Sequence, residues 1–431
     1  MSFSTLGLHP TLVRATEALG FTQPTPIQSQ AIPAALDGKD ILASAVTGSG
    51  KTAAFLLPVL QQLMERPRGT TKALILAPTR ELALQILDDF GGLARGTGVR
   101  AAAVHGGVGM GPQEKAFRTG VDVIVATPGR LLDHFQQHYA ALTSIEILVL
   151  DEADRMLDMG FLPDIRRVLR HIPTPKQTLF FSATMPAPIE ALTREMLTSP
   201  VRIALQRKAA PAQGVTQAVY PVPASLKANL LVELLCRNKM KEALVFTRTK
   251  HRADRLMKVL NRAGISAERI HGNRSQAQRT KALAGFKAGD IRVLVATDLM
   301  ARGIDVEALG HVVNFDVPAV PDDYIHRVGR TARAEAVGDA FTLVAPEEEE
   351  DLGRIERAVG RKLPRMHLEN FSYAAAAEPP LEVPRGERIA AIRARKSQDR
   401  ARAAAKTARE TAASAAAPSR TPRRRPFRGG R

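Results

Sequence analysis

The sequence has very little of what secreted, membrane-spanning or cysteine-clustered proteins require. Its single cysteine, Cys236, excludes a disulfide framework and a cysteine-rich zinc module, and so favours a reducing compartment. The residues around it, 230–239 (LLVELLCRNK), predict a buried or half-buried helical position. No run approaches the roughly 18 apolar residues of a membrane span, and residues 1–14 lack the pattern of a signal peptide. We therefore expect a soluble, intracellular, cytoplasmic protein that does not bind membranes.

The length and the charge indicate several domains and a polyanionic partner. The chain has 431 residues, of which 45% are hydrophobic, and domains of about 150 residues would number two or three. The formal net charge is +18, and residues 380–431 carry +11 of it, with 15 Lys and Arg against 4 Asp and Glu. This tail is rich in Ala, Arg and Pro and cannot bury a core. We interpret it as a nucleic-acid-binding extension, while a tail that only keeps the protein soluble remains the alternative.

Short apolar runs alternate with longer amphipathic stretches in two successive series. The first series consists of 40–45, 73–77, 100–105, 121–126, 145–150 and 178–181. The second consists of 243–246, 267–270, 293–296, 312–315 and 340–344. Several runs are apolar on both faces, as strands buried in a parallel sheet are, and helical patterns such as 81–90, 251–263 and 276–287 separate them. The alternation predicts two tandem α/β domains, each with a doubly wound parallel sheet.

The periodicity fades between the two series, and this sets the predicted boundaries. We predict a first domain at residues 1–205, a polar linker at 206–217, a second domain at 218–370 and a basic low-complexity tail at 371–431. Residues 346–357 (PEEEEDLGRIER) begin with proline and a glutamate run. That is typical of a first helical turn, because the helix dipole stabilises negative charge there. We therefore expect this acidic run to have a structural role rather than a binding role.

A phosphate-binding loop is predicted at residues 45–52 (AVTGSGKT), between a strand and a helix. Its glycines, Gly48 and Gly50, let backbone N–H groups surround phosphates without a side-chain clash. Lys51 would reach the β and γ phosphates of a nucleotide, and Thr52 would hold Mg²⁺.

A carboxylate pair follows another apolar strand, in residues 147–154 (ILVLDEAD). Asp151 and Glu152 would lie at the carboxyl edge of the sheet, where doubly wound folds bind their ligands. An aspartate there can hold Mg²⁺, and the next carboxylate can polarise an attacking water. The two elements together predict nucleotide hydrolysis, with an acidic helix start as the alternative for the carboxylates.

With these elements in place, the sequence resembles the DEAD-box ATP-dependent RNA helicases. Residues 151–154 spell DEAD, and the family's other motifs appear in order. They are 20–28 (GFTQPTPIQ), 78–82 (PTREL), Gly106-Gly107, 127–130 (TPGR), 182–184 (SAT), 245–250 (VFTRTK), 276–279 (QAQR), 296–305 (ATDLMARGID) and 326–333 (HRVGRTAR). The resemblance covers residues 3–344 and implies two RecA-like domains. The compact loops and the short basic tail look most like the bacterial RhlE-type subgroup.

Ala45 stands where the general phosphate-loop pattern begins with glycine. Two positions depart from the family pattern: Val46 stands where glutamine is frequent, and Ala332 stands where glycine is common. Neither change removes a catalytic group.

The resemblance implies a role in ATP hydrolysis for residues of both domains. Phe21 would stack on adenine, Gln28 would hydrogen-bond its edge, and Glu152 would orient or deprotonate water. The implied ATP contacts are Phe21, Gln28, Thr47, Gly48, Ser49, Gly50, Lys51, Thr52, Gly303 and Asp305. The implied metal ligands are Thr52 and Asp151. The implied catalytic residues are Lys51, Asp151, Glu152, Arg330 and Arg333. Arg330 and Arg333 would be arginine fingers, so hydrolysis would require closure of the two domains. Asp154, Ser182, Thr184 and His326 would couple the nucleotide site to the domain interface. For Arg327, a salt-bridged structural role and a phosphate contact stay equally open.

The resemblance also implies an RNA site. Its residues would be Arg80, Gly107, Thr127, Arg130, Gly272, Gln276, Arg279 and Thr297. Backbone amides, hydroxyls and arginines of this kind bind phosphates and 2′-hydroxyls without reading base sequence. For each lone polar residue, a cap or turn role is the alternative.

Taken together, the residues and the resemblance predict an ATP-dependent RNA helicase. It would bind single-stranded RNA and ATP-Mg²⁺ between its domains, unwind short RNA duplexes and hydrolyse ATP faster with RNA, because the two binding events are coupled. Ribosome-assembly or RNA-decay proteins would be possible partners. The alternatives are an ATP-timed RNA clamp or chaperone that depends mainly on the tail, a DNA translocase and, more remotely, a small-molecule phosphotransferase.

Overall fold

The computed structural model describes residues 2–45, 48–174, 177–204, 215–237, 240–298, 309–331 and 338–373. All of them belong to one compact unit, Met1–Ala376. Across these residues, no helix has both the length and the apolar character needed to cross a bilayer.

A seven-stranded sheet occupies the first half of the chain. Its strands are β1 (Ile41–Ser44), β2 (Ala73–Leu76), β3 (Ala101–Val104), β4 (Val123–Ala126), β5 (Ile147–Leu150), β6 (Gln177–Ser182) and β7 (Val201–Ala204). They are ordered β3-β4-β2-β5-β6-β1-β7, and every neighbouring pair is parallel. Strands β2, β4 and β5 are buried along their whole length, which explains why they read as unbroken apolar runs.

A six-stranded sheet follows with the same plan. Its strands are β8 (Val215–Pro221), β9 (Ala243–Phe246), β10 (Ala267–Ile270), β11 (Val293–Ala296), β12 (His311–Asn314) and β13 (Gly338–Val344). Their order is β10-β11-β9-β12-β13-β8, and all pairs are parallel.

Helices connect the strands of both sheets. In the first half they are α1 (Pro10–Ala18), α2 (Pro26–Leu36), α3 (Lys51–Met64), α4 (Arg80–Leu93), α5 (Gly111–Thr119), α6 (Pro128–Phe135), α7 (Ala153–Asp158), α8 (Leu162–Leu169) and α9 (Ala187–Met196). In the second half they are α10 (Lys227–Cys236), α11 (Lys250–Arg262), α12 (Gln276–Lys287), α13 (Pro321–Val328) and α14 (Glu349–Val359). Short 3₁₀ helices lie at Phe3–Leu6, Ala224–Leu226 and Pro346–Glu348.

Each face of the first sheet has its own apolar core. Ile75 and Val125 belong to the cluster on one face, while Leu74 and Ile124 belong to the cluster on the other. Successive residues of a strand alternate between faces, so an apolar run is needed to fill both cores. This packing confirms the prediction of doubly wound α/β sheets.

The predicted strands are confirmed, and two further strands were not predicted. Strands β7 and β8 are edge strands of their sheets, with polar residues such as Arg202, Thr216 and Gln217 in their sequences. Edge position alone does not explain the omission, because β3 and β10 are edge strands that were predicted. Strands β7 and β8 lie on either side of the segment where the apolar periodicity fades, so the pattern does not detect them. Strand β8 begins at Val215, inside the segment that we predicted as linker; residues 205–214, like the tail from 374 onward, lie outside the described residues.

The glutamate run has the predicted helical structure, but the prediction for Cys236 was wrong. Residues Pro346–Glu348 form a 3₁₀ helix that leads into α14. Cys236 is exposed, because it is the last residue of α10, one position beyond the pair that faces the core, Leu234 and Leu235.

Candidate functional site

The order of the first sheet brings three sequence motifs to one edge. Strands β5, β6 and β1 are neighbours, and all three are parallel, so their carboxyl ends meet. The phosphate loop follows β1, Asp151 and Glu152 follow β5, and β6 ends at Ser182. Crossover connections thus assemble a site from residues more than 130 positions apart.

The phosphate loop contains a glycine, Gly50, whose left-handed backbone conformation would strain any residue with a side chain. Gly50 has φ +87°, and a Cβ there would lie 2.5 Å from Gln28 Nε2 and 2.9 Å from Thr25 Oγ1. Helix α3 begins at the next residue, Lys51, so its N-terminal N–H groups face the loop, as an anion site requires. Thr47, which we predicted to contact ATP, lies outside the described residues.

Lys51 and Asp151 form the buried floor of this site. The Lys51 Nζ lies 3.7 Å from the Asp151 Oδ1, and both side chains are about 95% buried. Among the side chains that the structure describes, neither of these two atoms has a hydrogen-bond partner. Burial raises the pKa of Asp151 to about 6, although the Lys51 ammonium opposes the shift. Unsatisfied buried charges are costly, and a phosphate and a cation would satisfy this pair.

Glu152 has a strained backbone beside the floor. Its φ is +53° and its ψ +50°, a left-handed conformation that is uncommon for a residue with a side chain. The buried Arg155 holds the carboxylate, with 2.6 Å between Arg155 Nη1 and Glu152 Oε2. Strain of this kind persists where the surroundings fix it, and it concentrates at functional sites.

Asp154 forms a closed hydrogen-bond network with the SAT motif. Its Oδ2 accepts from the Thr184 N–H at 2.8 Å and from the Thr184 hydroxyl at 2.9 Å. The Ser182 hydroxyl accepts from the Asp154 N–H at 3.1 Å and donates to the Thr184 carbonyl at 2.7 Å. Burial would raise the pKa of Asp154, but the hydrogen bonds from Thr184 outweigh it and lower the pKa. The structure therefore brings together three of the four predicted coupling residues; it places the fourth, His326, on α13.

A cavity of about 640 Å³ opens above the floor. Phe21, which is 38% exposed, lies on its wall together with Gln28. The Gln28 amide donates to the Gly50 carbonyl at 3.0 Å and accepts from the Thr25 N–H at 2.9 Å. Its predicted contact with adenine stays a prediction, because these bonds tie the side chain to the phosphate loop and to the start of α2.

Arg330 reaches this cavity from the second half of the chain. It is 95% buried and lines the cavity together with Lys51, Asp151 and Glu152. Its role as an arginine finger stays a prediction. Arg333, Gly303 and Asp305, the other predicted contributors from the second half, lie outside the described residues.

Arg327 has a structural environment. Its guanidinium is bidentate to Asp298, with Nε–Oδ1 at 2.5 Å and Nη2–Oδ2 at 2.8 Å. The Nη1 donates to Asn314 Oδ1 at 3.1 Å and to the Asp316 carbonyl at 2.7 Å. These contacts use four of the five N–H donors of the side chain at a buried position, and of the two roles left open they favour the salt-bridged one.

The RNA residues predicted in the first half converge on one group of loops. The Arg80 guanidinium packs so closely on Gly106 and Gly107 that a Cβ at Gly107 would overlap it. Thr127 is the N-cap residue of α6, and Arg130 on that helix donates to the Val108 carbonyl at 2.9 Å. Strands β2, β3 and β4 deliver all of them to the same sheet edge.

The RNA residues predicted in the second half lie at the corresponding edge. Gly272 follows β10 and Thr297 follows β11, while Gln276 and Arg279 lie on α12. Glu81 on α4 contacts the last two: its Oε1 accepts from Gln276 Nε2 at 3.0 Å, and its Oε2 pairs with the Arg279 guanidinium. Burial lowers the pKa of Arg279, and Glu81 opposes that shift. This contact joins the two halves of the chain.

Sequence reasoning missed several residues of the site. Glu81 lies inside the PTREL motif but was given no role, and its partners are almost 200 positions away. Arg155 follows Glu152 by three residues on a helix, a spacing that could have revealed the pair. Gln85 and Asp88, one helical turn apart on α4, line the cavity and carry no sequence signal of a ligand.

The chain is similar to known proteins over both halves. Residues 25–192 match the family described as DEAD/DEAH box helicase, and residues 226–335 match the Helicase conserved C-terminal domain. The sequence is 43% identical over 373 residues to the DEAD-box ATP-dependent RNA helicase CshA of Bacillus cereus, which covers 86% of this chain and 71% of that protein. It is 43% identical over 403 residues to the ATP-dependent rRNA helicase RRP3 of Eremothecium gossypii, which covers 93% of this chain and 82% of that protein. The fold is similar to S. cerevisiae Dbp5 bound to RNA and ADP BeF3, with a TM-score of 0.77, 31% identity and coverage of 85% and 95% of the two chains.

Proposed function

Because this chain belongs to the DEAD-box family of ATP-dependent RNA helicases, we propose that it hydrolyses ATP in the cavity between its two sheets and uses closure around ATP to bind and locally unwind RNA. One observation carries the catalytic part of the proposal. Arg330, from the second half, lines the same cavity as Lys51, Asp151 and Glu152 from the first. A site assembled from two halves exists only while they are together, so its chemistry depends on what holds them together.

The residues divide the work of hydrolysis by position. Lys51 and the N–H groups at the start of α3 bind the β and γ phosphates, and Phe21 with Gln28 holds the base. Glu152, fixed by Arg155, orients water toward the γ phosphate. Arg330 stabilises the charge that spreads over the transferring oxygens, a contribution of roughly 10³–10⁵ in rate for such arginines.

The donor set fits Mg²⁺ as the companion of ATP. The Asp151 Oδ1 is buried without a hydrogen-bond partner among the described residues, and Thr52 lies on the same cavity. No cluster of three or more His, Cys, Asp or Glu side chains that could hold a metal occurs in the described part of the chain. Mg²⁺ does not need one, because it is held by one or two carboxylates, by waters and by the substrate phosphates. When bound, it would neutralise charge between the phosphates.

RNA binding is the second half of the proposal. The predicted RNA residues of both halves lie at the sheet edges, and Glu81 joins α4 to α12, so an RNA strand along these edges would contact both halves. The arrangement supports coupling, since a strand that binds both halves also favours the closed cavity. The similarity to an RNA- and nucleotide-bound structure supports the same arrangement.

Two finer points stay within the proposal. A role beside ribosome-assembly or RNA-decay proteins is consistent with unspecific recognition of the RNA backbone. Membership of the RhlE-type subgroup stays a prediction, because the relatives named above are CshA and RRP3 proteins. The clamp alternative is less favoured, since the curated relatives named above are ATP-dependent helicases that match both halves of the chain.

Steady-state ATP hydrolysis tests the proposal. We expect single-stranded RNA to stimulate the purified protein and equimolar single-stranded DNA to leave it near its basal rate. Glu152→Gln keeps the size of the side chain but removes its negative charge, and should abolish stimulation while RNA binding persists. Stimulation by DNA alike would favour a DNA translocase. Equal rates with and without RNA would refute coupling.

A second assay separates helicase from clamp. We expect the wild-type protein with ATP to separate a short RNA duplex, and Arg330→Ala to bind that duplex without separating it. Removal of residues 380–431 should weaken RNA binding but preserve RNA-stimulated hydrolysis. Loss of all activity in that truncated chain would instead support the clamp.

A further inference from the structure

The loop 105–109, which follows β3, contains the predicted RNA contact Gly107. This glycine has φ +84°, so the loop has an unusual shape that must be held. Two of the side chains that hold it are themselves predicted RNA residues: Arg80 packs on Gly106 and Gly107, and Arg130 donates to the Val108 carbonyl. The remaining loop residues, His105 and Gly109, are held by a different side chain.

Gln113, on α5, binds both ends of this loop. Its Oε1 accepts from the His105 N–H at 3.1 Å, and its Nε2 donates to the His105 carbonyl at 3.1 Å and to the Gly109 carbonyl at 3.2 Å. The side chain is 95% buried. The His105 N–H and carbonyl together fix which end of the amide is oxygen and which is nitrogen. Gln113 thus supplies hydrogen bonds to the backbone of His105, the residue that follows the edge strand β3.

The same amide is connected to helix α6. His134 Nε2 lies 3.4 Å from Gln113 Oε1, and His134 Nδ1 lies 3.0 Å from the Tyr139 hydroxyl. Because Oε1 can only accept, Nε2 must carry the proton, and Nδ1 then accepts from the hydroxyl. Burial, with a smaller contribution from Arg130, lowers the pKa of His134 and keeps this neutral form. Helix α6 also carries Arg130 and has Thr127 as its N-cap.

We propose that Gln113 is a positioning residue for RNA binding: its buried amide sets the shape of loop 105–109 and, through His134, the placement of that loop against the helix that carries Arg130. This inference rests on the proposed RNA function. Gln113 cannot contact RNA itself at 95% burial, so its effect passes through the backbone of the loop. It is also remote from the ATP site, which lies at β1 and β5, whereas β3 is the opposite edge of the sheet.

The test is Gln113→Met, which keeps the length of the side chain and removes its donor and acceptor. The matched control is Gln137→Met, the same change at an exposed position just beyond α6. For Gln113→Met we expect the RNA concentration that half-saturates ATP hydrolysis to rise roughly tenfold, the factor that one net hydrogen bond corresponds to. The KM for ATP at saturating RNA should stay close to that of the control, while the melting temperature should fall somewhat, because the His105 N–H and the carbonyls of His105 and Gly109 lose their partner.

Two outcomes overturn the proposal. The first is a half-saturating RNA concentration for Gln113→Met that equals that of Gln137→Met. The second is a parallel loss in RNA affinity, ATP affinity and melting temperature, which would mean that Gln113 only stabilises the domain. If the wild-type protein itself shows no RNA stimulation, the proposed function fails instead, and the two failures are thereby distinguished.

A second variant, Gln113→Glu, gives a pH-dependent readout and covers the case in which the methionine variant does not fold. An ionised carboxylate would accept from the His105 N–H but face the carbonyls of His105 and Gly109 without a donor. Protonation restores one donor. We expect its half-saturating RNA concentration to fall toward the wild-type value as the pH is lowered, with no such trend for Gln137→Glu. A pH-independent RNA affinity equal to wild type would overturn the proposal.

Discussion

The two sheets have the same arrangement of strands, and each has a lysine at the start of an equivalent helix, but the surroundings of the two lysines differ. Helix α3, after β1, begins at Lys51, and helix α10, after β8, begins at Lys227. Strands β1 and β8 hold the same place next to β6 and β13. Asp151, one residue past β5, donates its N–H to the end of β2, just as Phe315, one residue past β12, donates its N–H to the end of β9.

At this equivalent position, the ammonium of the first lysine has no hydrogen bond among the described residues, whereas the ammonium of the second has hydrogen-bond partners. The Lys51 Nζ is buried with no hydrogen-bond partner among the described residues. The Lys227 Nζ donates to the Phe315 carbonyl at 2.9 Å and pairs with the Glu348 carboxylate. Burial lowers the pKa of Lys227, while Glu348 opposes the shift. The comparison teaches that a nucleotide site and a structural ion pair can be built on the same arrangement of strands. The difference is that Lys227 hydrogen-bonds its anion, whereas Lys51 lies 3.7 Å from Asp151 without a hydrogen bond among the described residues.

Replacement of the lysine in the first sheet should have the largest effect on activity. Lys51→Met removes the cation that faces the phosphates, and we expect hydrolysis to fall about 10²–10³-fold, as when one preorganised charge donor is lost. The melting temperature without nucleotide should fall less than for Lys227→Met, because the Lys51 Nζ makes no hydrogen bond among the described residues and its ion pair with Asp151 is 3.7 Å long. Steady-state hydrolysis and a thermal melt measure the two effects. A large drop in melting temperature would contradict the comparison.

Replacement of the lysine in the second sheet should have the reverse result. Lys227→Met removes the nearer of the two cations beside the buried Glu348 carboxylate, since the Arg248 Nη2 stays 3.7 Å from its Oε1. This should cost about 3 kcal/mol of unfolding free energy, the lower end of the cost of breaking a buried pair. The double variant Lys227→Met/Glu348→Gln should recover most of this, since Gln can still accept from the Ala345 N–H that Glu348 now caps at 3.0 Å. Denaturant unfolding measures both. If the double variant is no more stable than the single one, the buried charge is not the cause.

The contact that joins the sheets is a smaller test. Glu81→Gln removes the charge that pairs with Arg279, and we expect RNA-stimulated hydrolysis below saturation to fall roughly tenfold, the lower end of the cost of breaking such a pair. Glu146→Gln is the matched control, because the Glu146 carboxylate pairs with Arg66 and Lys72 within the first half. Equal effects of the two variants would show that Glu81 does not join the halves in solution.

Removal of the helix caps should have the smallest effect on stability, and the effect should be equal at the two equivalent caps. Thr79 accepts from the Leu82 N–H and Thr249 from the Arg252 N–H, each at 3.2 Å, at the start of the helices that follow β2 and β9. Thr79→Ala and Thr249→Ala should each cost about 1 kcal/mol of unfolding free energy. Unfolding curves of the two variants check this. A loss of unfolding free energy several times larger at one cap would mean that the two sheets and their helices are not equivalent at these positions.

These pairs also show how far the sequence could predict the molecule. The central strands and the two catalytic motifs were predictable, because buried parallel strands are continuous apolar runs and because the phosphate loop and the carboxylates are local patterns. The ion pair of Lys227 was not predictable, since Glu348 is 121 positions away and belongs to a run that is typical of a helix start. Gln113 was missed for a different reason. Its partners are backbone groups, and nearly every residue has the same backbone groups, so the sequence does not indicate which of them a side chain binds.

Lys227 and Glu348 can also be considered as a binding equilibrium. Glu348 is an anion tethered to the same compact body as its cation, and tethering gives it an effective concentration in the millimolar range or above. A free nucleotide would have to displace it and leave a buried carboxylate behind. We therefore expect the second sheet not to bind a nucleotide at Lys227. In the first sheet, the Asp151 carboxylate lies 3.7 Å from the Lys51 Nζ, which has no hydrogen-bond partner among the described residues, so a phosphate can bind this ammonium without displacing a hydrogen bond.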